Sequence, residues 1–172
     1  MKNVLAVVLI LLMSASNGFC FGSSKFKDEV EKEAGAVKLV REVARGGYDI
    51  ITTAELAELQ ASGEEILVID TMPYEASYKK NHVPGAVQFL FPIPDMNEWN
   101  NEETAGKSKD EFINLLGDNM EKKIIVYCGF VKCTRSHNGA LWAKKLGYKN
   151  VYRYPGGIFA WKGAGFEVAS VK

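Results

Sequence analysis

The sequence predicts an α/β domain: a central parallel sheet of about five strands with helices on both faces. Two observations carry this expectation. From Tyr48 onward, short apolar runs alternate with segments of helical spacing. Several of those runs are apolar almost throughout, the pattern of strands buried on both sides. The composition permits such a core, since 172 residues with 47% hydrophobic and 24% charged residues suffice for one ordinary domain.

Each element follows from its own signals. "YDIIT" (48–52) reads as a short first strand. Thr53 is expected to cap "AELAELQASG", with Glu55 and Glu58 near the start and Gly63 beyond the end. "EILVID" (65–70) is a buried strand, and "AVQFLF" (86–91) is another, closed by Pro92 and Pro94. The polar stretch Asn97 to Lys109 is a loop. "DEFINLLG" is a helix, "KKIIVYC" a strand, and "RSHNGALWAKKLG" a helix stopped by Gly147. "NVYRY" is the last strand and "GIFAWKGAG" a short terminal helix. Trp99, Trp142 and Trp161 read as packing residues.

Two segments precede this domain. Residues 1–22 carry an early lysine, ten apolar residues from Val4 to Met13, then small and polar residues. That order predicts a signal peptide cleaved after Gly18 or Gly22, and hence an exported, periplasmic protein. The apolar run is too short to span a bilayer. Lipoprotein anchoring through Cys20 is the less favoured alternative, because Asn17, Gly18 and Phe19 make a poor lipidation box. Residues 23–47 form a helical extension. Val30, Ala34, Val37, Val40 and Val43 make its apolar stripe, available to cover the core, bind a partner protein or self-associate. The domain proper is 48–172.

Zero formal net charge argues against nucleic acid. The two histidines are far apart and make no standard zinc spacing with Cys128 and Cys133, so no metal and no cofactor is expected.

In parallel sheets of this kind, function lies at the carboxyl ends of strands. Cys128 is at one such end and Asp70 at another. After Cys128 the chain must turn through Gly129, Phe130, Val131, Lys132, Cys133 and Thr134 into a helix starting near Arg135. A loop of this kind can direct backbone N–H groups at the sulfur. The helix start, Lys132 and Arg135 add positive charge. All of these favour thiolate over thiol, and predict nucleophilic chemistry on an anionic substrate. A small buried cysteine at a strand end is the alternative.

Three ordered segments sharpen the choice: "VIDTMPYEASYKKNHVPGAVQF" (68–89), "VYCGFVKCTRS" (126–136) and "YPGGIFAW" (154–161). Together they resemble the rhodanese-like sulfurtransferase domain, over roughly Tyr48 to Phe166. The resemblance implies a persulfide mechanism. Cys128 would take the outer sulfur of a small anionic donor, thiosulfate or polysulfide. A thiol or sulfur-carrier acceptor would remove it. Arg135 and Lys132 would hold the donor's anionic end.

The chain also departs from the family pattern. Six residues separate Cys128 from Arg135, where the family places four and its phosphatase-like relatives five, so the spacing does not support a phosphatase. Met72 stands where an arginine often follows the aspartate.

Two readings stand for Cys133: a resolving thiol that closes a disulfide with Cys128, or a bystander. Arg135 either faces the loop or caps the helix. Asp70 either orients the loop or caps a turn. His82, in the "HVPGA" turn, is read as a turn hydrogen bond ahead of a catalytic base. His137 is expected at the surface. A non-catalytic sulfur- or protein-binding module and a thiol–disulfide protein using both cysteines are the competing functions.

Overall fold

The computed structural model describes residues 21–171. Most of the segment read as a signal peptide, Cys20 included, lies outside the described residues. No described helix is long and apolar enough to cross a membrane.

Five parallel strands form one sheet in the order β1-β5-β4-β2-β3. They are β1 (Asp49–Ile50), β2 (Ile66–Asp70), β3 (Val87–Gln88), β4 (Lys123–Tyr127) and β5 (Val151–Tyr154). Five helices surround them: α1 (Phe21–Gly46), α2 (Thr53–Ala61), α3 (Lys109–Leu116), α4 (Arg135–Lys145) and α5 (Gly157–Gly163).

The central strand β4 shows why the sheet is covered on both sides. Ile124 and Val126 enter a core cluster with Phe112 and Leu116 of α3 and with Ala140, Trp142 and Ala143 of α4. Ile125 and Tyr127 point the other way, into a cluster with Leu56 of α2 and Ile158 and Trp161 of α5. This is the two-residue period of a strand acting on an apolar run. Each fully buried Ile of this kind contributes roughly 1.5–3 kcal/mol. Trp99 packs partly buried against the first cluster, so all three tryptophans are packing residues.

Three local expectations need correction. The α2 cap is Thr52, not Thr53. Its hydroxyl accepts from the Glu55 N–H while the Glu55 carboxylate accepts from the Thr52 N–H, a reciprocal capping box. The strand expected over 86–91 is regular only at Val87–Gln88. It lies at the sheet edge, and only the Phe89 and Phe91 N–H groups continue toward β2, onto the Asp70 and Thr71 carbonyls. The segment Tyr74–Tyr78, unassigned by pattern, is a single π-helical turn.

The extension expected over 23–47 is a helix, but its packed face is not the valine stripe. Of the stripe only Val43 packs, partly buried against the core; Val30, Ala34, Val37 and Val40 are exposed, whereas Gly35, Glu42 and Gly46 are buried. Electrostatics decides this rotation. Glu42 forms a salt bridge with Arg153 of β5, and both side chains are almost fully buried. Lys38, one turn earlier, approaches the other Glu42 oxygen at 3.6 Å.

Removing one partner of such a pair leaves a buried charge uncompensated, at a cost of about 3–5 kcal/mol. We expect Glu42→Ala to lower Tm by about 10 °C in thermal unfolding. Val40→Ala, on the exposed stripe, should leave Tm almost unchanged. Equal effects from the two would contradict the assignment of the buried face.

Candidate active site

β4 ends at Tyr127 and delivers Cys128 beneath the loop that leads to α4. Cys128 is 1% exposed. Its carbonyl accepts from the Ile158 N–H at 3.0 Å, and the Gly129 carbonyl accepts from the Phe159 N–H at 3.0 Å. The start of α5 therefore pins the first half of the loop. Gly157 makes this approach possible. Its φ is +58°, and a Cβ there would lie 2.1 Å from the Cys128 carbonyl oxygen.

The loop tip, Phe130 to Lys132, is exposed, and the Phe130 and Phe159 rings lie 5.6 Å apart. The chain then turns back, with the Cys133 N–H donating to the Phe130 carbonyl at 3.0 Å. This turn returns the Cys133 backbone to Cys128. The Cys128 thiol donates to the Cys133 carbonyl at 3.4 Å, with the Phe130 carbonyl at 4.0 Å.

The second half of the loop is held from behind by Arg153. Its Nη2 donates to the Cys133 carbonyl at 2.8 Å and the Val131 carbonyl at 3.3 Å. Its Nε donates to Ser136 Oγ at 2.9 Å. Ser136 Oγ is also 3.3 Å from Cys128 Sγ. Arginine can only donate, so the serine oxygen accepts from Arg153 and its proton is free to point at the sulfur. A chain Glu42–Arg153–Ser136–Cys128 thus runs from the N-terminal helix to the thiol.

Lys132 and Arg135 are not placed over Cys128. Lys132 Nζ pairs with Glu31 of α1 at 3.2 Å. The Arg135 guanidinium donates to the Phe91 carbonyl. Thr134 is buried, and its hydroxyl and the Lys132 carbonyl both accept from Lys38 Nζ, at 2.7 and 2.8 Å. Between α1 and the loop tip lies a groove of about 580 Å³, with Ala36, Leu39 and Val131 among its lining residues.

Electrostatics divides the two thiols. Burial, then the neighbouring Cys133, pushes Cys128 up, against the opposing Ser136 hydrogen bonds. Cys133 is half-buried and is pulled down to about 6, first by the hydrogen bond from Cys128, then by the N–H groups of Arg135 and Gly129 and the Arg135 charge. The N–H groups of Arg135 and Gly129 and the Arg135 charge favour the Cys133 thiolate, while Cys128 receives the Ser136 hydroxyl and N–H. The reason is geometric: Cys133 lies just before the first turn of α4, where N–H groups are unpaired, while Cys128 faces loop carbonyls.

The other expected residues serve the frame. Asp70 is fully buried; its Oδ1 accepts from the Met72 N–H at 2.8 Å, and its Oδ2 has no partner. Burial pushes its carboxyl up from 3.8 to about 6. His82 pairs through Nδ1 with the Tyr78 carbonyl at 2.8 Å and stacks on the Tyr78 ring, a turn contact. His137, expected at the surface, is fully buried. Arg45 donates to its Nε2, so Nδ1 carries the ring proton toward the Tyr48 hydroxyl. Burial pulls this imidazole down to about 4, which keeps it neutral.

Sequence reasoning missed Arg153, Ser136 as the thiol's partner, and Glu42. The available signal was a charged residue inside "NVYRY", a run otherwise fit for burial, because a buried cation requires a counter-ion.

A parallel α/β sheet with a cysteine loop at a strand's carboxyl end defines a class of domains. The rhodanese-like domain family model matches residues 52–164, and the chain belongs to that family. It is 27% identical over 150 residues to rhodanese-like domain-containing protein 14, chloroplastic, of Arabidopsis thaliana. That likeness covers 71% of this chain and 66% of the plant protein, just under two thirds of its length. Among solved structures, the BH2092 protein from Bacillus halodurans is 26% identical with a TM-score of 0.51, over 78% of this chain and 86% of that one. A thiosulfate sulfurtransferase from Pseudomonas aeruginosa has a TM-score of 0.57 at 19% identity, over 78% of this chain and 23% of that one. That second likeness is one of fold alone. The family match begins after α1, so Glu42 lies outside it.

Two measurements check the electrostatics. The rate of iodoacetamide alkylation at Cys133 should rise with a midpoint near pH 6. Cys128→Ala should move that midpoint upward; an unmoved midpoint would contradict the hydrogen bond. For Asp70, a folded value above the unfolded one means the native state binds the extra proton between about pH 4 and 6. The penalty is absent below that window and complete above it. Asp70→Asn should therefore gain stability relative to wild type as pH rises from about 4 to 7, by up to roughly 3 kcal/mol in urea unfolding. A difference equal at both pH values would count against it.

Proposed function

We propose that the protein is a sulfurtransferase that carries a sulfane sulfur as a persulfide on Cys128. The observation that carries this reading is the Ser136 hydroxyl, obliged by Arg153 to accept on one side and free to donate to Cys128 Sγ on the other. A donor of this kind stabilises negative charge on a buried sulfur and is retained when that charge moves to a persulfide.

The Cys128 proton passes to the neighbouring Cys133 thiolate. Cys128 Sγ then attacks the outer sulfur of thiosulfate or a polysulfide; with thiosulfate, the S–S bond breaks and sulfite leaves. A thiol or sulfur-carrier acceptor takes the sulfur onward, approaching over the exposed tip and the groove beside α1. Location outside the cytoplasm, as residues 1–22 suggest, would assign this chemistry to sulfur compounds there. A second reading, thiol–disulfide exchange, is favoured by the pairing of a half-exposed thiol pulled down with a buried thiol pushed up.

The test is thiocyanate formation from thiosulfate or polysulfide and cyanide, with peptide masses after acid quench. Wild type should form thiocyanate, and Cys133→Ser loaded without cyanide should show one added sulfur on the Cys128 peptide. Cys128→Ser should lose both. Ser136→Ala should slow loading about 10–100-fold, the worth of a hydrogen bond to a charged group. Absence of added sulfur and of thiocyanate from either donor would reject the proposal.

A further inference from the structure

The turn that carries the loop back to Cys128 gives Cys133 a position whose use the transfer reaction does not exhaust. We infer that Cys133 is a resolving thiol: it attacks the sulfur-loaded Cys128 and releases the carried sulfur as hydrosulfide, leaving a Cys128–Cys133 disulfide. The inference rests on the persulfide reading above and adds a second outcome for the same intermediate.

Three geometric facts place the thiols for this step. The Cys133 N–H to Phe130 carbonyl bond folds the tip into a tight turn, so Cys133 returns over the end of β4. Cys128 Sγ lies 3.4 Å from the carbonyl oxygen of Cys133, which places the Cys133 backbone directly beside that sulfur. Arg153 Nη2 holds that same carbonyl at 2.8 Å, and Arg153 is itself fixed by Glu42 in α1. Cys133 is thus anchored against Cys128 by its backbone while its side chain stays half-exposed. Among the described residues these are the only cysteines, both free, so no other thiol competes for the pairing.

The step balances without an added oxidant. Cys128 Sγ bears the outer sulfur as an anion, and Cys133 enters as the thiol that took the Cys128 proton. The Cys133 sulfur bonds to Cys128 Sγ, the bond from Cys128 Sγ to the outer sulfur breaks, and the proton leaves on that sulfur as HS⁻. Two thiol sulfurs are oxidised to a disulfide and the carried sulfur is reduced to sulfide. Turnover requires an external dithiol to reopen the disulfide, so the further activity is thiol-dependent release of sulfide from a sulfane donor. Acceptor transfer and resolution compete for one intermediate.

The experiment uses anaerobic, fully reduced protein and thiosulfate labelled in its outer sulfur, without cyanide or reductant. Wild type should release one equivalent of labelled sulfide, lose two hydrogens in a peptide linking Cys128 to Cys133, and stop; adding dithiothreitol should restart release. Cys133→Ser should load more slowly, keep the label as one added sulfur on Cys128, and release at least tenfold less sulfide. A wild type that forms thiocyanate in the cyanide assay yet yields neither labelled sulfide nor the disulfide overturns the resolving step alone. If no protein carries label and no thiocyanate forms, the persulfide reading falls and this inference with it.

Discussion

The site depends on one interaction, the buried ion pair between Glu42 and Arg153. A guanidinium has five donors and no acceptor, so once buried it must find oxygens in several directions. Here it finds the Glu42 carboxylate, the carbonyls of Val131 and Cys133, and the Ser136 hydroxyl. Those oxygens belong to the N-terminal helix, the loop and the following helix. Satisfying one cation therefore fixes the back of the loop, the rotation of α1 and the direction of a serine proton. Burying such a pair yields little net stability against an apolar alternative, but it leaves few geometries open to its partners.

The division of labour between the two thiols follows from position rather than from charge count. Cys128 is the strand's last step into the interior, and desolvation holds its proton. Cys133 sits where α4 has unpaired N–H groups, and it ionises more readily. Such a pair holds one proton between them, so its titration belongs to the pair as much as to either residue.

Much of this was legible in the sequence. Strand runs such as "EILVID" and "KKIIVYC" could be read because burial on both faces leaves an unbroken apolar record. Cys128 could be read because a strand end, a short loop and a helix start follow each other in the chain. The edge segment 86–91 carries a strand's apolar record without a full strand: its apolar residues, Phe89 and Phe91, are buried by packing rather than by regular pairing. The α1 face is not legible from its valines, because a single glutamate one turn from the helix end sets the orientation. His137 lies inside, against expectation, because its partners Tyr48 and Arg45 are 89 and 92 residues away in sequence. Long-range pairing of polar groups leaves no periodic trace.

The start of the family match at residue 52 has a consequence for comparison between relatives. Four of the five strands, the loop and Arg153 lie inside the matched region, and the counter-ion lies outside it. Two family members with identical loops can therefore differ at the cysteine if one lacks an acid at this point of its leading helix. Sequence identity measured over the shared domain transfers the scaffold; the shape of the loop is inherited in part from a flanking segment that such an alignment never scores.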